Sequence, residues 1–301
     1  MPTISEYSPR VHLVALCTLT GVSPRLFELL FARFGDTERI LRADVSALTA
    51  IGGMSAPQIK RIASARDRLE DAQRFVNRLT EREIRVISFF DDDYGELLTE
   101  LNDPPPILYI RGVMPDRSRK SVTVAGAHNA TAEGIELTTN LARRFGQAGV
   151  QVISSLRGGI DSAAHLGAKS GGAPSFAVID TGFDQLTAPS AMPLAIDIVE
   201  HGGVISEYAP EQISTHETLE QSNRLLAGLA QAVVVTEVYS DSEATLDLLA
   251  FCRMIGKLVF VMADPHKGAL ADESAMAKAL EAGAIPMKGL EHTDDIVRAL
   301  V

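Results

Sequence analysis

Three stretches of this 301-residue chain set small residues, polar groups and a helix start side by side. The first is Gly126-Ala127-His128-Asn129-Ala130-Thr131. The second is Ser154-Ser155-Leu156-Arg157-Gly158-Gly159-Ile160-Asp161, which runs into Ala163, Ala164 and His165. The third is Asp180-Thr181-Gly182-Phe183-Asp184. Paired glycines at a helix start let the backbone approach an anion, and the helix dipole favours negative charge there. Arg157 adds a guanidinium able to make charge-assisted contacts. These residues point to the binding of a phosphate or nucleotide. The same glycines would also serve a plain tight turn, and the spacing is neither GxGxxG nor a P-loop.

Other chemistry is less well supported. Asp161 and His165 lie one helical turn apart, a pair that can hold a metal or exchange a proton, but no third ligand follows in sequence. A packed, hydrogen-bonded histidine is the expectation, with no metal and no cofactor. Ser154 and Ser155 do not sit in GxSxG, so no hydrolase elbow is present. With no nucleophile–base set visible, the chain reads as a binding protein and not an enzyme. Phe27, Phe31 and Phe34 read as core.

The elements that must position these stretches follow from periodicity. Strand-like runs at 122–125, 150–154, 176–180, 204–207, 233–238 and 258–262 alternate with helix-length stretches at 132–148, 161–170, 193–201, 223–230 and 242–256. That alternation predicts an α/β fold, an extended Rossmann-like parallel sheet covered on both faces. Ligands of such sheets sit beyond the carboxyl ends of the strands, which is where the three stretches fall. Ahead of the sheet, residues 11–85 read as helical. Ser23-Pro24 supplies an N-cap and a first helical residue, and 56–81 reads as one long arginine-rich helix. Two helix, glycine-turn, helix patterns there, at Thr20-Gly21 and Gly52-Gly53, resemble helix-hairpin-helix units. Such turns hold DNA phosphates on their amides or serve packing alone. Short strand patterns at 84–89 and 108–111 flank Asp103-Pro104-Pro105-Pro106. The predicted domains are a small all-helical one of helix-hairpin-helix or SAM-like type at 1–85 and a Rossmann-like core at 86–301. Within the core, 86–115 would be approach strands and linker, and the alternating pattern starts near 115.

Composition bounds the rest. An apolar fraction of 46% and a charged fraction of 22% are ordinary for a globular protein. No apolar run reaches the ~18 residues of a membrane span, and the first residues lack a signal-peptide pattern. Cys17 and Cys252 are too far apart in sequence for a disulfide framework, so a reducing cytoplasm is expected. The net charge is −11, with 14 basic and 16 acidic residues in 1–115 and 14 and 23 in the remainder. A polyanion would have to meet a local pocket, not a basic face.

The order of motifs resembles the DprA/Smf family. Leu19-Thr20-Gly21-Val22-Ser23-Pro24, the Asp93-Tyr94 pair and Asp103-Pro104-Pro105-Pro106-Ile107-Leu108-Tyr109-Ile110-Arg111-Gly112 are similar to the family's approach to its core. Ile153-Ser154, followed by Gly159-Ile160-Asp161-Ser162-Ala163-Ala164-His165, resembles its signature loop and helix. Asn223-Arg224-Leu225-Leu226-Ala227-Gly228-Leu229 is similar to its later motif. The resemblance implies an extended Rossmann core, a helical N-terminal domain and homodimers. It also implies single-stranded DNA bound in a basic pocket and handed to a RecA-type recombinase during transformation. The chain departs from the family where Gly-Ser-Arg-Lys-Ala-Thr becomes Gly126-Ala127-His128-Asn129-Ala130-Thr131. It departs again where Leu-Ala-Arg-Gly-Ile-Asp becomes Leu156-Arg157-Gly158-Gly159-Ile160-Asp161, and where Phe-Pro-Arg-Arg-Asn-Arg becomes Leu219-Glu220-Gln221-Ser222-Asn223-Arg224. A C-terminal winged helix, present in many members, is not expected. Each lost phosphate contact lowers affinity and salt slope for DNA.

Three functions follow. The first is non-catalytic binding of single-stranded DNA along Gly126, His128, Asn129, Ser155, Arg157, Gly158, Gly159, Asp161, Gly182, Asn223 and Arg224, with Arg157 and Arg224 as the surviving phosphate contacts. The second is an antitoxin-type or regulatory partner of a toxin protein in phage defence, with weakened DNA binding. The third is a nucleotide-binding, phosphoribohydrolase-like protein, for which the stretch ending Glu243-Ala244-Thr245-Leu246-Asp247 keeps the threonine and acid of the required motif but not its glycines.

Overall fold

A computed structural model describes residues 3–187, 191–263 and 271–300. Contacts gather the chain into two compact units. One comprises Met1–Tyr94, Asn102–Arg111 and Glu207–Ala209, the other Gly95–Leu101, Gly112–Ser206 and Pro210–Val301.

The first unit opens with α1 (Pro9–Leu13), which runs through a π-helical stretch (Val14–Leu19) to a glycine turn and α2 (Pro24–Phe34). α3 (Thr37–Arg42), α4 (Val45–Thr49), α5 (Ala56–Ala63) and α6 (Leu69–Glu81) follow. The Ser23 cap read in sequence is used, and Ser8, Asp36, Asp44 and Ser55 likewise each accept an amide hydrogen at a helix start. Leu13, Leu16, Leu30, Leu41 and Leu48 form the interior. The single helix expected over 56–81 is instead α5, a 3-10 turn (Ala65–Arg68) and α6. The Ser64 hydroxyl donates to the Arg61 carbonyl at 2.7 Å, drawing the helix end into a tighter turn that buries Ala65 completely. β1 (Arg85–Ser88) and β2 (Ile107–Gly112) pair antiparallel, with Val86 opposite Tyr109. Strand pairing therefore carries this unit past residue 85. Tyr94 donates its hydroxyl to the Pro105 carbonyl at 2.7 Å, fixing the proline run. Phe27 is buried, while Phe31 and Phe34 are half-buried.

The second unit holds α7 (Glu96–Thr99), then β3 (Ser121–Ala125), α8 (Ala132–Gln147), β4 (Gln151–Ser155), α9 (Ile160–Ser170) and β5 (Ser175–Ile179). α10 (Ala191–His201), β6 (Gly203–Ser206), α11 (His216–Gly228), β7 (Ala232–Val235), α12 (Glu243–Ile255) and β8 (Leu258–Met262) continue the alternation. α13 (Glu273–Glu281), β9 (Ile285–Met287) and α14 (Thr293–Ala299) complete it. The strands are parallel in the order β6-β5-β4-β3-β7-β8-β9. Every residue of β3, β4, β5 and β7 is buried, as a sheet covered on both faces demands. α8 and α9 seal one face through Leu141, Phe145, Ile160 and Ala164 against Val122, Val152 and Val234. The strand order reverses at β3, which pairs with β4 on one side and β7 on the other. β9 is absent from the sequence reading: three residues around a proline are too short to show a period of two.

Candidate anion site at the carboxyl edge of the sheet

At the end of β4, Ser155 is the hub. Its hydroxyl donates to the Asp161 carboxylate and accepts from Arg157 Nε at 2.8 Å and from the Arg157 amide at 3.3 Å. One donor and two lone pairs are thereby all in use. Its carbonyl accepts from His165 Nε2 at 2.9 Å, which places the imidazole proton on Nε2. Burial pushes the His165 pKa down to about 4, so the ring is neutral. Burial raises the Asp161 carboxyl pKa, while the Arg157 charge 3.7 Å away, the Ser155 hydroxyl and His128 hold the rise back. Asp161 and His165 are thus each fastened to Ser155, and the expected packed histidine is what the fold contains.

The next turn joins two of the predicted stretches. Gly159 has φ +52°, and a Cβ there would stand 2.1 Å from the His128 carbonyl oxygen and 2.4 Å from that of Ala127. Only glycine lets the loop after β4 lie against the loop after β3. The Ile160 amide donates to the Ala127 carbonyl at 3.1 Å, so this first amide of α9 is not open to a ligand. A Cβ on Gly158 would lie 3.1 Å from the His128 ring, which places that ring beside the turn. His128 and Asn129 are exposed, and Gly126, Gly158 and Gly159 are half-exposed. The Gly126 carbonyl accepts from the Thr245 hydroxyl at 2.9 Å. Arg157 lies half-buried, and its Nη1 is enclosed without a hydrogen-bond partner.

Two predicted contacts are corrected. Arg224 is only 3% exposed and Asn223 1%, so neither faces a ligand in solvent. Residues 223–230 look like the start of a helix in sequence, but Thr215 caps α11 eight residues earlier. That puts Asn223 and Arg224 mid-helix, where Asn223 Nδ2 donates to the Ala244 carbonyl at 3.1 Å and Arg224 Nε to Gln221 Oε1 at 2.8 Å. Gly182 is buried at the end of β5, its amide donating to the Gln212 carbonyl at 2.8 Å. Its described partner belongs to the 210–214 segment and not to the loops after β3 and β4.

The residue the sequence reading missed is Glu237, which is fully buried just beyond β7. Its carboxylate accepts from the Thr131 amide at 3.0 and 3.2 Å, from the Thr131 hydroxyl at 3.3 Å and from the Tyr239 hydroxyl at 2.6 Å. All these partners donate, so Glu237 ties the loop after β7 to the start of α8. Burial, followed by the bond to Glu237, pushes the Tyr239 hydroxyl pKa up to about 12. A Cβ on Gly134 would come within 1.6 Å of Glu237 Oε2. Beyond β3 and β7, where the strand order reverses and such folds usually take a ligand, the Glu237 carboxylate links the two loops. An acid set directly after an apolar strand run was the available signal.

The fold and these loops define an extended Rossmann-like domain in which the half-exposed glycine turns lie beyond β3 and β4. Residues 85–300 match the family model described as DNA recombination-mediator protein A, and the chain belongs to that family. It is 28% identical over 243 residues to Protein Smf of Synechocystis sp., covering 79% of this chain and 61% of that protein. It is 31% identical over 150 residues to DNA processing protein DprA of Streptococcus pneumoniae, covering 50% and 53% respectively. The chain thus spans less than two thirds of the length of these relatives. The solved structure of DNA processing protein A from Streptococcus pneumoniae superposes with a TM-score of 0.79 at 20% identity, covering 97% of this chain and 98% of that one. DNA processing protein A from Helicobacter pylori, whose structure was described for its single-stranded DNA binding mode, gives 0.62 at 18% identity, over 73% and 98%.

Proposed function

We propose that this chain binds single-stranded DNA without catalysis, through the turn Arg157-Gly158-Gly159 and the facing His128-Asn129, and passes the strand to a RecA-type recombinase. The observation that carries the reading is Arg157. Its side chain, 24% exposed, is steadied by Ser155 beside a half-exposed glycine turn. A strand phosphate would meet the exposed part of the guanidinium. Family membership and the single-stranded DNA binding named for the Helicobacter pylori relative support the same reading.

The test is a gel shift with an oligothymidylate across salt, using protein free of endogenous nucleic acid. Arg157→Ala removes one charge-assisted bond, worth about 1.5–3 kcal/mol, which is roughly one to two decades of affinity. It also lowers the salt slope by about 0.7 for a single strand. Wild-type protein with no affinity at low salt overturns the reading. A second reading, an antitoxin-type or regulatory partner of another protein, is favoured by the burial of Arg224 and by the Asp161 carboxylate 3.7 Å from Arg157. These leave the pocket one arginine, itself partly neutralised.

A further inference from the structure

The helical unit contains two acid-free stretches that carry exposed basic residues. In a chain of net charge −11, residues 7–27 and 45–66 contain no aspartate or glutamate, yet they carry Arg10, Arg25, Lys60, Arg61 and Arg66. Arg10 is engaged with Asp91 at 3.0 Å, and Arg66 approaches Asp67 at 4.0 Å. Arg25, Lys60 and Arg61 are exposed and form no ion pair among the described residues. The fold brings two of the acid-free stretches together. A Cβ on Gly21, in the turn ahead of α2, would lie 3.6 Å from Arg61 Nη1 on α5. Arg25 stands four residues beyond that same turn. α5 turns Ile59 and Ile62 inward and leaves Lys60 and Arg61 outward. Gly52 and Gly53, in the turn ahead of α5, are exposed with no atom within 4 Å of a Cβ on either. The single acid of α2 is Glu28.

Three exposed cations form no ion pair among the described residues, and one of them, Arg61, lies beside the exposed Gly21 turn. Such a surface suits a polyanion of regular charge spacing. The two turns and α5 contain no aromatic ring, so unstacked bases have nothing to lie on. From this we infer that Arg25 on α2 and Lys60 and Arg61 on α5, with Arg61 beside the Gly21 turn, form a second nucleic-acid surface that grips the phosphate backbone of double-stranded DNA irrespective of sequence. It is separate in residues from the edge at Arg157 and stands whether or not that edge binds a single strand.

The experiment is fluorescence anisotropy of the full chain with a 20-base-pair blunt duplex and, separately, an oligothymidylate, from about 50 to 200 mM salt. The variants are R25A/R61A, K60A and R157A, with a thermal melt on each; all the substituted groups of the first two are exposed, so the melts should match wild type. R25A/R61A is expected to weaken duplex binding at least tenfold at the lowest salt. It should lower the duplex salt slope by about 1.8, and K60A by about 0.9. Oligothymidylate binding should stay as in wild type for both. R157A should leave duplex binding unchanged, so failure of the single-strand site registers separately. Absence of wild-type duplex binding at 50 mM salt overturns the inference. So does an R25A/R61A protein of native melting temperature that binds duplex as wild type does.

Discussion

A neutral imidazole sealed beneath the proposed strand site makes His165 the chain's clearest pH liability. Its pKa falls from 6.5 to about 4 on folding, because burial penalises the charged ring more than the Ser155 carbonyl rewards it. The folded state therefore refuses a proton that the unfolded chain accepts. Stability from this group is complete above pH 6.5 and is lost as pH drops toward 4. The span of about 2.5 units corresponds to about 3 kcal/mol. Urea melts between pH 7 and 4 should show that loss in the wild type and a markedly smaller one in His165→Gln. Equal pH dependence in the two would refute the assignment. The residue types of this site were readable in sequence, down to the packed role of His165, because an aspartate and a histidine four apart on a helix with no third ligand have few other uses. The exposure of Arg224 was not, because burial depends on where α11 begins, and Thr215 sets that eight residues upstream.

At the scale of elements, the start of α8 shows how a carboxylate from a distant loop can hold a helix end. Glu237 satisfies the Thr131 amide and hydroxyl and supplies negative charge at the positive end of a 16-residue helix. Glu237→Gln keeps the shape but loses the charge, and it offers the Thr131 amide a neutral acceptor. We expect a loss of about 1–2 kcal/mol in denaturant stability, in the range for a buried charged hydrogen bond and a helix-terminus anion together. The melting midpoint should shift without a change in the slope of unfolding free energy on denaturant. An unchanged midpoint would mean that the carboxylate is not the group holding α8. The strands and helices of this unit were legible almost throughout, since buried β-branched runs separated by helix-length stretches have one common architecture. What escaped was cooperation between distant segments. Glu237 lies more than a hundred residues from Thr131, and only the order of strands places the two loops side by side. The break of the expected 56–81 helix is the local counterpart: a single serine hydroxyl outweighs a continuous amphipathic pattern.

For the molecule as a whole, the remaining expectation is self-association, which family membership suggests. The sequence offered α12 as its face, since Leu246, Leu248, Leu249, Phe251, Met254 and Ile255 spread around the helix. The fold uses Leu248, Leu249 and Cys252 in its own core and leaves Met254 as the largely exposed apolar residue of α12, at 65%. Met254 and the half-buried Leu246, Phe251 and Ile255 fall short of the roughly 800 Å² per partner that a stable interface needs, so a dimer would need further surface. If the homodimer that the family suggests forms, light scattering at micromolar concentration gives about twice 32.3 kDa, and Met254→Asp leaves that mass unchanged. Salt adds a discriminating sign. Two copies, each of net charge −11, repel, and added salt screens that repulsion over a Debye length of about 10 Å at 0.1 M. Dimer should accordingly gain with salt over the same range in which both DNA complexes weaken. A mass of 32.3 kDa at every salt concentration would remove the dimer. A monomeric Met254→Asp would return the interface to α12.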